Sequence, residues 1–71
     1  MNEFVFEVTH EADGGYVAEC LTETIVTEGN SWDQLSANAR EATRGYFFDS
    51  EEKMPARIRL HLVRDEVLAV A

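Results

Sequence analysis

The first thirty-nine residues contain neither lysine nor arginine. They carry eight carboxylates (Glu3, Glu7, Glu11, Asp13, Glu19, Glu23, Glu28 and Asp33), and all six basic side chains fall between Arg40 and Arg64. A nucleic-acid interface needs a basic face to neutralise phosphates, and this half of the chain would repel one, so direct nucleic-acid binding is not expected. The acidic half either solvates the surface or attracts a basic protein. A lone cysteine, Cys20, excludes an internal disulfide and suits a reducing compartment, so a cytoplasmic location is expected. No apolar run approaches the ~20 residues that span a membrane. The start MNEFVFEV is acidic and alternating, unlike the basic and then apolar regions of a signal peptide. Repeats, linkers and low-complexity segments are also missing, so residues 1–71 are read as one domain. A 45% hydrophobic fraction favours a folded chain despite the net charge of −8. At 71 residues a single core is barely sufficient, and oligomerisation is expected.

What is present is periodicity. Asn2–Thr9 alternates, with Phe4, Phe6 and Val8 on one side, and predicts a strand. HEADGG (10–15) predicts a tight turn in which Asp13-Gly14-Gly15 supplies positive φ angles. Tyr16–Leu21 resumes the alternation and Thr24–Thr27 gives a third short strand, which together predict an antiparallel three-stranded meander. Glu28-Gly29-Asn30 is read as the end of the sheet. Ser31 and Gln34 match a capping box in which the Gln34 side chain returns to the Ser31 N–H. Asp33 complements the dipole of the helix that follows. Trp32, Leu35, Ala39, Ala42 and Tyr46 form its apolar stripe, read as core rather than a base-stacking platform, and its end is expected near Phe48. Pro55 biases Met54 away from helical geometry.

Arg57–Val63 alternates again, with Ile58, Leu60 and Leu62 inward and Arg57, Arg59 and His61 outward. Arg64-Asp65-Glu66 reads as a break. Val67–Val70 fits either a short extra terminal strand or a tail packed on a partner subunit. The expected fold is α+β, in the order βββαβ.

No catalytic constellation emerges from the side chains. His10, Glu11 and Asp13 cluster at the first turn, but one Cys and two distant His fall short of a zinc ligand set, and a solvated loop is the simpler reading. His61 is read as a cross-strand surface residue. Cys20 alternates with Ala18 and Tyr16 and reads as a small buried hydrophobe rather than a nucleophile. Gly14-Gly15 fits neither the Rossmann nor the Walker pattern. No catalytic residue, metal ligand or cofactor is therefore expected. The helical stripe cannot bury both Phe47 and Phe48, so at least one is expected to face a partner subunit.

The segments GGYVAE (14–19) and TEGNSWDQLSANAREAT (27–43), with Glu28-Gly29 before the helix and Asn38-Ala39-Arg40-Glu41-Ala42 within it, resemble the HicB family of type II antitoxins in its short single-domain form. The resemblance extends loosely through Pro55 to the terminal strand. It implies a partial ribonuclease-H-like βββαβ domain without nuclease activity, which commonly dimerises and masks a small basic ribonuclease toxin. The sequence departs from the family where CLTETIV replaces a Pro-Gly-Cys type segment. The DNA-binding domain of many members is not expected here, and operator binding is not carried over. Under this reading Glu7, Glu19, Glu23 and Glu28 would bind the partner. Phe47, Phe48, Val67, Leu68 and Val70 would form a homodimer interface. The alternative is a stand-alone oligomeric scaffold or small-ligand-binding domain with no toxin.

Overall fold

The computed structural model describes residues 3–64 and 66–71; the predicted first strand residue, Asn2, and the middle of the predicted break, Asp65, lie outside them. Three strands, β1 (Glu3–His10), β2 (Tyr16–Cys20) and β3 (Val26–Gly29), precede the helix α1 (Trp32–Tyr46), and β4 (Arg57–Val63) follows it. The strands form one sheet in the order β3-β2-β1-β4. The first three make the antiparallel meander, and β4 pairs with β1 in parallel. Because β3 and β4 therefore run the same way on opposite edges, no hairpin can join them. The 15-residue helix, about 22 Å long at 1.5 Å per residue, carries the chain back across the sheet. The architecture is α+β in the order βββαβ, as the periodicity predicts.

The β1–β2 hairpin closes through Glu11 N–H to Gly15 O (2.7 Å) and Gly14 N–H to Glu11 O (3.0 Å). Within this turn only Gly14 takes a positive φ (98°), so one glycine rather than the whole Asp13-Gly14-Gly15 segment supplies the left-handed geometry. Asp13 instead accepts a hydrogen bond from Gly15 N–H at 3.1 Å.

The third strand begins and ends two residues later than Thr24–Thr27. Ile25, buried in the β2–β3 connection, accepts from Cys20 N–H at 2.9 Å, and Glu28-Gly29 continues the strand instead of ending it. Gly29 lies beneath the first turn of α1. A Cβ built there would stand 2.5 Å from Leu35 N and 2.7 Å from Leu35 Cα, so the glycine lets strand and helix backbones touch. Ser31 caps α1 by accepting from Gln34 N–H at 3.1 Å. The Gln34 side chain reaches one residue further back than the capping box predicts, accepting from Asn30 N–H at 2.8 Å.

The core is Phe6, Val8, Ala18, Cys20, Ile25 and Leu35. α1 packs over β3 and β2, which turns its buried stripe to Leu35, Ala39 and Thr43. Trp32 and Tyr46, expected in the core, are exposed at its two ends, and Ala42 is half-buried. Thr43 tolerates burial because its hydroxyl donates to Ala39 O at 2.8 Å. Phe47 follows the helix into the interior, 7% exposed and tilted against Phe4 at 5.6 Å. The segment after it holds a short 3-10 turn, Glu51–Lys53. The helix leaves the β4 end of the sheet thinly covered: Ile58 and Leu60 are half-buried, and Leu62, expected inward, is 45% exposed.

Candidate functional site

The sheet has a second face, turned away from α1, and most of the predicted partner-binding carboxylates lie there. Side chains opposite each other in a ladder share a face. Glu7 lies directly opposite Glu19 in the β1·β2 register, Glu28 is opposite Val17, and Val26 is opposite Glu19. All three glutamates are exposed, and Val26, 61% exposed, sits among them. Glu7, Glu19 and Glu28 thus form an acidic stripe across β1, β2 and β3. Glu23 does not belong to it: it lies in the β2–β3 connection, where Glu23 Oε1 accepts from Tyr46 Oη–H at 3.1 Å. That bond, with the nearby negative charge, holds the Tyr46 phenol above its ordinary pKa.

On β4 the same face turns basic, with Arg57, Arg59 and His61 beside Glu3, Val5 and Glu7 of β1. Two of these cations are already engaged. Glu3 accepts from Arg57 Nε at 2.8 Å and from Arg59 Nε and Nη2, both at 3.0 Å. The Arg59 guanidinium, and then Arg57, holds the Glu3 carboxyl below the usual carboxylate range, and Glu3 in turn raises Arg59. Among the described residues Glu7, Glu19 and Glu28 enter no ion pair. A depressed folded-state pKa gives stability that is present above the ordinary carboxylate value, about 4.3, and is lost as pH falls through the folded one. Glu3→Gln is therefore expected to melt below wild type at neutral pH. The two melting curves should converge as acidification protonates Glu3, and a gap independent of pH would show that the ion pairs are not its source.

The remaining candidates are dispersed. His10 does not join Glu11 and Asp13: its ring stacks on Tyr16 at 4.6 Å, and Tyr16 meets Trp32 edge-on at 5.5 Å. Among the described residues, no three His, Cys, Asp or Glu side chains come together as a metal ion would require. Cys20 is buried in the core, and His61 is exposed on β4. Phe48 is 75% exposed, whereas Phe47 is taken by the core, which removes it from the surface predicted for dimer contact. Val67, Leu68 and Val70 are exposed and belong to no strand, so Val67–Val70 adds no strand within the chain.

Sequence reading missed a polar hollow beside β3, lined by Glu11, Asp13, Glu28, Asn30, Gln34 and Asn38. Asn38 Nδ2 donates to Glu28 O at 2.7 Å and ties the helix to that edge. The Asn38 position, one turn beyond Gln34 on the same helix, was the available signal. Among the described residues no helix is long and apolar enough to cross a membrane.

Fold and surface together define a small α+β domain with one helix-covered sheet face and one open, acidic face. The chain is similar to a UPF0150 protein of Thermotoga maritima, 29% identical over 68 residues that span 96% of this chain and 93% of that protein. No family model and no solved structure matches the chain.

Proposed function

We propose that this protein is a HicB-like binding module, without catalysis of its own, whose open sheet face engages a small basic protein, a ribonuclease toxin that it neutralises. The observation that carries the reading is the Glu7–Glu19 pair. Like charges directly opposite in a sheet destabilise it by about 0.5 kcal/mol, and this pair is extended by Glu28, with no ion pair to any of the three among the described residues. A basic partner would relieve it. Val26 and Val17 supply apolar ground between the charges, as an interface centre needs. The end-to-end likeness to a UPF0150 protein is compatible with a HicB-like domain. The chain acts as a homodimer in this reading, with Phe48 and the tail Val67–Val70 as the apolar surfaces it covers. Self-association alone is the second reading, favoured by that same tail and the open edge of β4.

Affinity capture from its own cells tests the first reading. Wild-type protein should retain one small basic protein and release it as salt approaches about 1 M, where the Debye length falls to about 3 Å. A Glu19→Lys/Glu28→Lys variant should lose it while keeping its helical circular dichroism. Glu19→Gln should bind less tightly yet melt no lower than wild type. The captured protein should cleave RNA, and added wild-type chain should stop it. Capture indifferent to both charge reversal and salt would overturn the acidic face as the binding surface.

A further inference from the structure

We propose that residues 66–70 of one copy add as a fifth strand along the open edge of β4 in a second copy, and reciprocally, with Leu68 opposite Leu60 and Val70 opposite Ile58. The proposal rests on the homodimer reading and names the contact that makes it. Two unsatisfied elements stand at the same end of the molecule. β4 is an edge strand, so one side of its backbone has no ladder partner, and its helix-side row of Ile58, Leu60 and Leu62 lies largely beyond the reach of α1. The segment that follows it is apolar and packs on nothing: Val67 is 94%, Leu68 73% and Val70 103% exposed. The long dimension of the chain, 55 Å against 23 and 17 Å, reflects this projection, as does a radius of gyration of 14.0 Å where about 11 Å is usual for this length.

An exposed apolar tail and an exposed strand edge each invite pairing. A turn back within one chain is disfavoured. A three-residue hairpin loop wants glycine at its left-handed position, and Arg64-Asp65-Glu66 contains no glycine, asparagine or proline. A second copy needs no turn. With a two-fold axis beside Arg64, residues 57–63 of each chain run antiparallel to the tail of the other, and even-numbered residues meet even-numbered ones. Leu60 then meets Leu68 of the second copy and Ile58 meets its Val70, while Arg59 and His61 meet uncharged Ala69 and Val67.

Charge favours this register over direct β4–β4 pairing, because it leaves a single like pair, Arg64 against Arg64 at the axis, each within 3.7 Å of its own Glu66. Centring two β4 strands on Leu60 would set Arg59 against His61 of the second copy and double a basic row. Leu62, Val67, Leu68 and Val70 expose on the order of 500 Å² per chain, so reciprocal pairing buries less than about 1,000 Å², the size of a small interface held by its backbone ladder as much as by its side chains.

The test uses the full chain carrying Leu60→Cys and Leu68→Cys in a Cys20→Ala background, oxidised and run without reductant, beside light scattering of wild type. The expected result is a wild-type dimer and a covalent dimer of the double variant. Leu68→Asp, a change on an exposed tail that cannot disturb the core, should weaken dimerisation at least tenfold and leave the helical signal intact. A wild-type monomer would overturn both this contact and the homodimer. A wild-type dimer without the cross-link, or one untouched by Leu68→Asp, would overturn this contact alone. A cross-link closed within single chains would assign the tail to its own β4 and equally overturn the exchange.

Discussion

Gly29→Ala is expected to lower the thermal midpoint by about 12–24 °C, taking a cost of about 3 kcal/mol for overpacking and 4–8 °C per kcal/mol for a domain of this size. The added methyl would sit 2.5 Å from Leu35 N and 2.7 Å from Leu35 Cα, and neither atom is the free end of a side chain. Relief requires the helix to lift from β3, which breaks the Asn38 bond to Glu28 O and opens the packing of Leu35, fully buried in the core. Gly45→Ala is the paired control. A Cβ there meets nothing within 4 Å, and the residue lies inside α1, where alanine is worth about 1 kcal/mol over glycine. Thermal denaturation followed at the helical band should therefore move the two variants in opposite directions. A Gly29→Ala protein that melts with wild type would show that strand and helix do not touch as described.

Phe6→Ala is expected to leave the chain without a cooperative unfolding transition. Phe6 is fully buried at the centre of β1, between Cys20 of β2 and Leu60 of β4, and heads the central cluster. Truncating a buried phenylalanine costs about 3–5 kcal/mol through lost transfer energy and the cavity left behind. A core in a chain of this length rarely supplies more than about 3–5 kcal/mol of net stability. The two quantities are equal in size, so a single side chain decides whether the domain folds. Urea titration should give a sloping baseline in place of a sigmoid. Phe48→Ala, at a side chain 75% exposed, should leave the monomer's transition in place. A sigmoid retained by Phe6→Ala with an unchanged midpoint would place the core elsewhere.

These two positions also show what could be read from sequence and what could not. Phe6 and Val8 were legible because period-two alternation reports directly on which face is buried. The β4 bounds, Arg57–Val63, were legible for the same reason, and Ser31 declared the start of α1 through its chemistry. Gly29 was not legible. A glycine after an acidic residue reads as turn punctuation, and its close approach to Leu35 depends on a helix whose position a one-dimensional pattern does not contain. The buried face of α1 was misjudged by part of a turn for a related reason. Trp32 and Tyr46 are more hydrophobic than Thr43, but the helix sits over β3 and β2, so geometry chose Thr43 and Phe47. The parallel direction of β4 followed only once the meander and the helix were assembled. At the candidate site, the acidity of the first half was plain from composition. The like-charge pairing of Glu7 with Glu19 needed the register, and the separation of Glu23 from the stripe needed the Tyr46 bond.

The position of β1 between β2 and β4 has a consequence for how the protein is made. Of the four strands, the earliest in the chain is the one completed last. Once Tyr46 has emerged, the meander and helix are all available. The 17 residues to Val63 then take roughly 1–3 s to synthesise at 5–20 residues per second. Throughout that interval β1 offers an unpaired edge carrying Phe4 and Phe6, and the β4 of a neighbouring nascent chain fits it as well as the chain's own. Crowded polysomes and concentrated refolding mixtures therefore favour intertwined chains, whereas dilute refolding lets each β4 find its own β1.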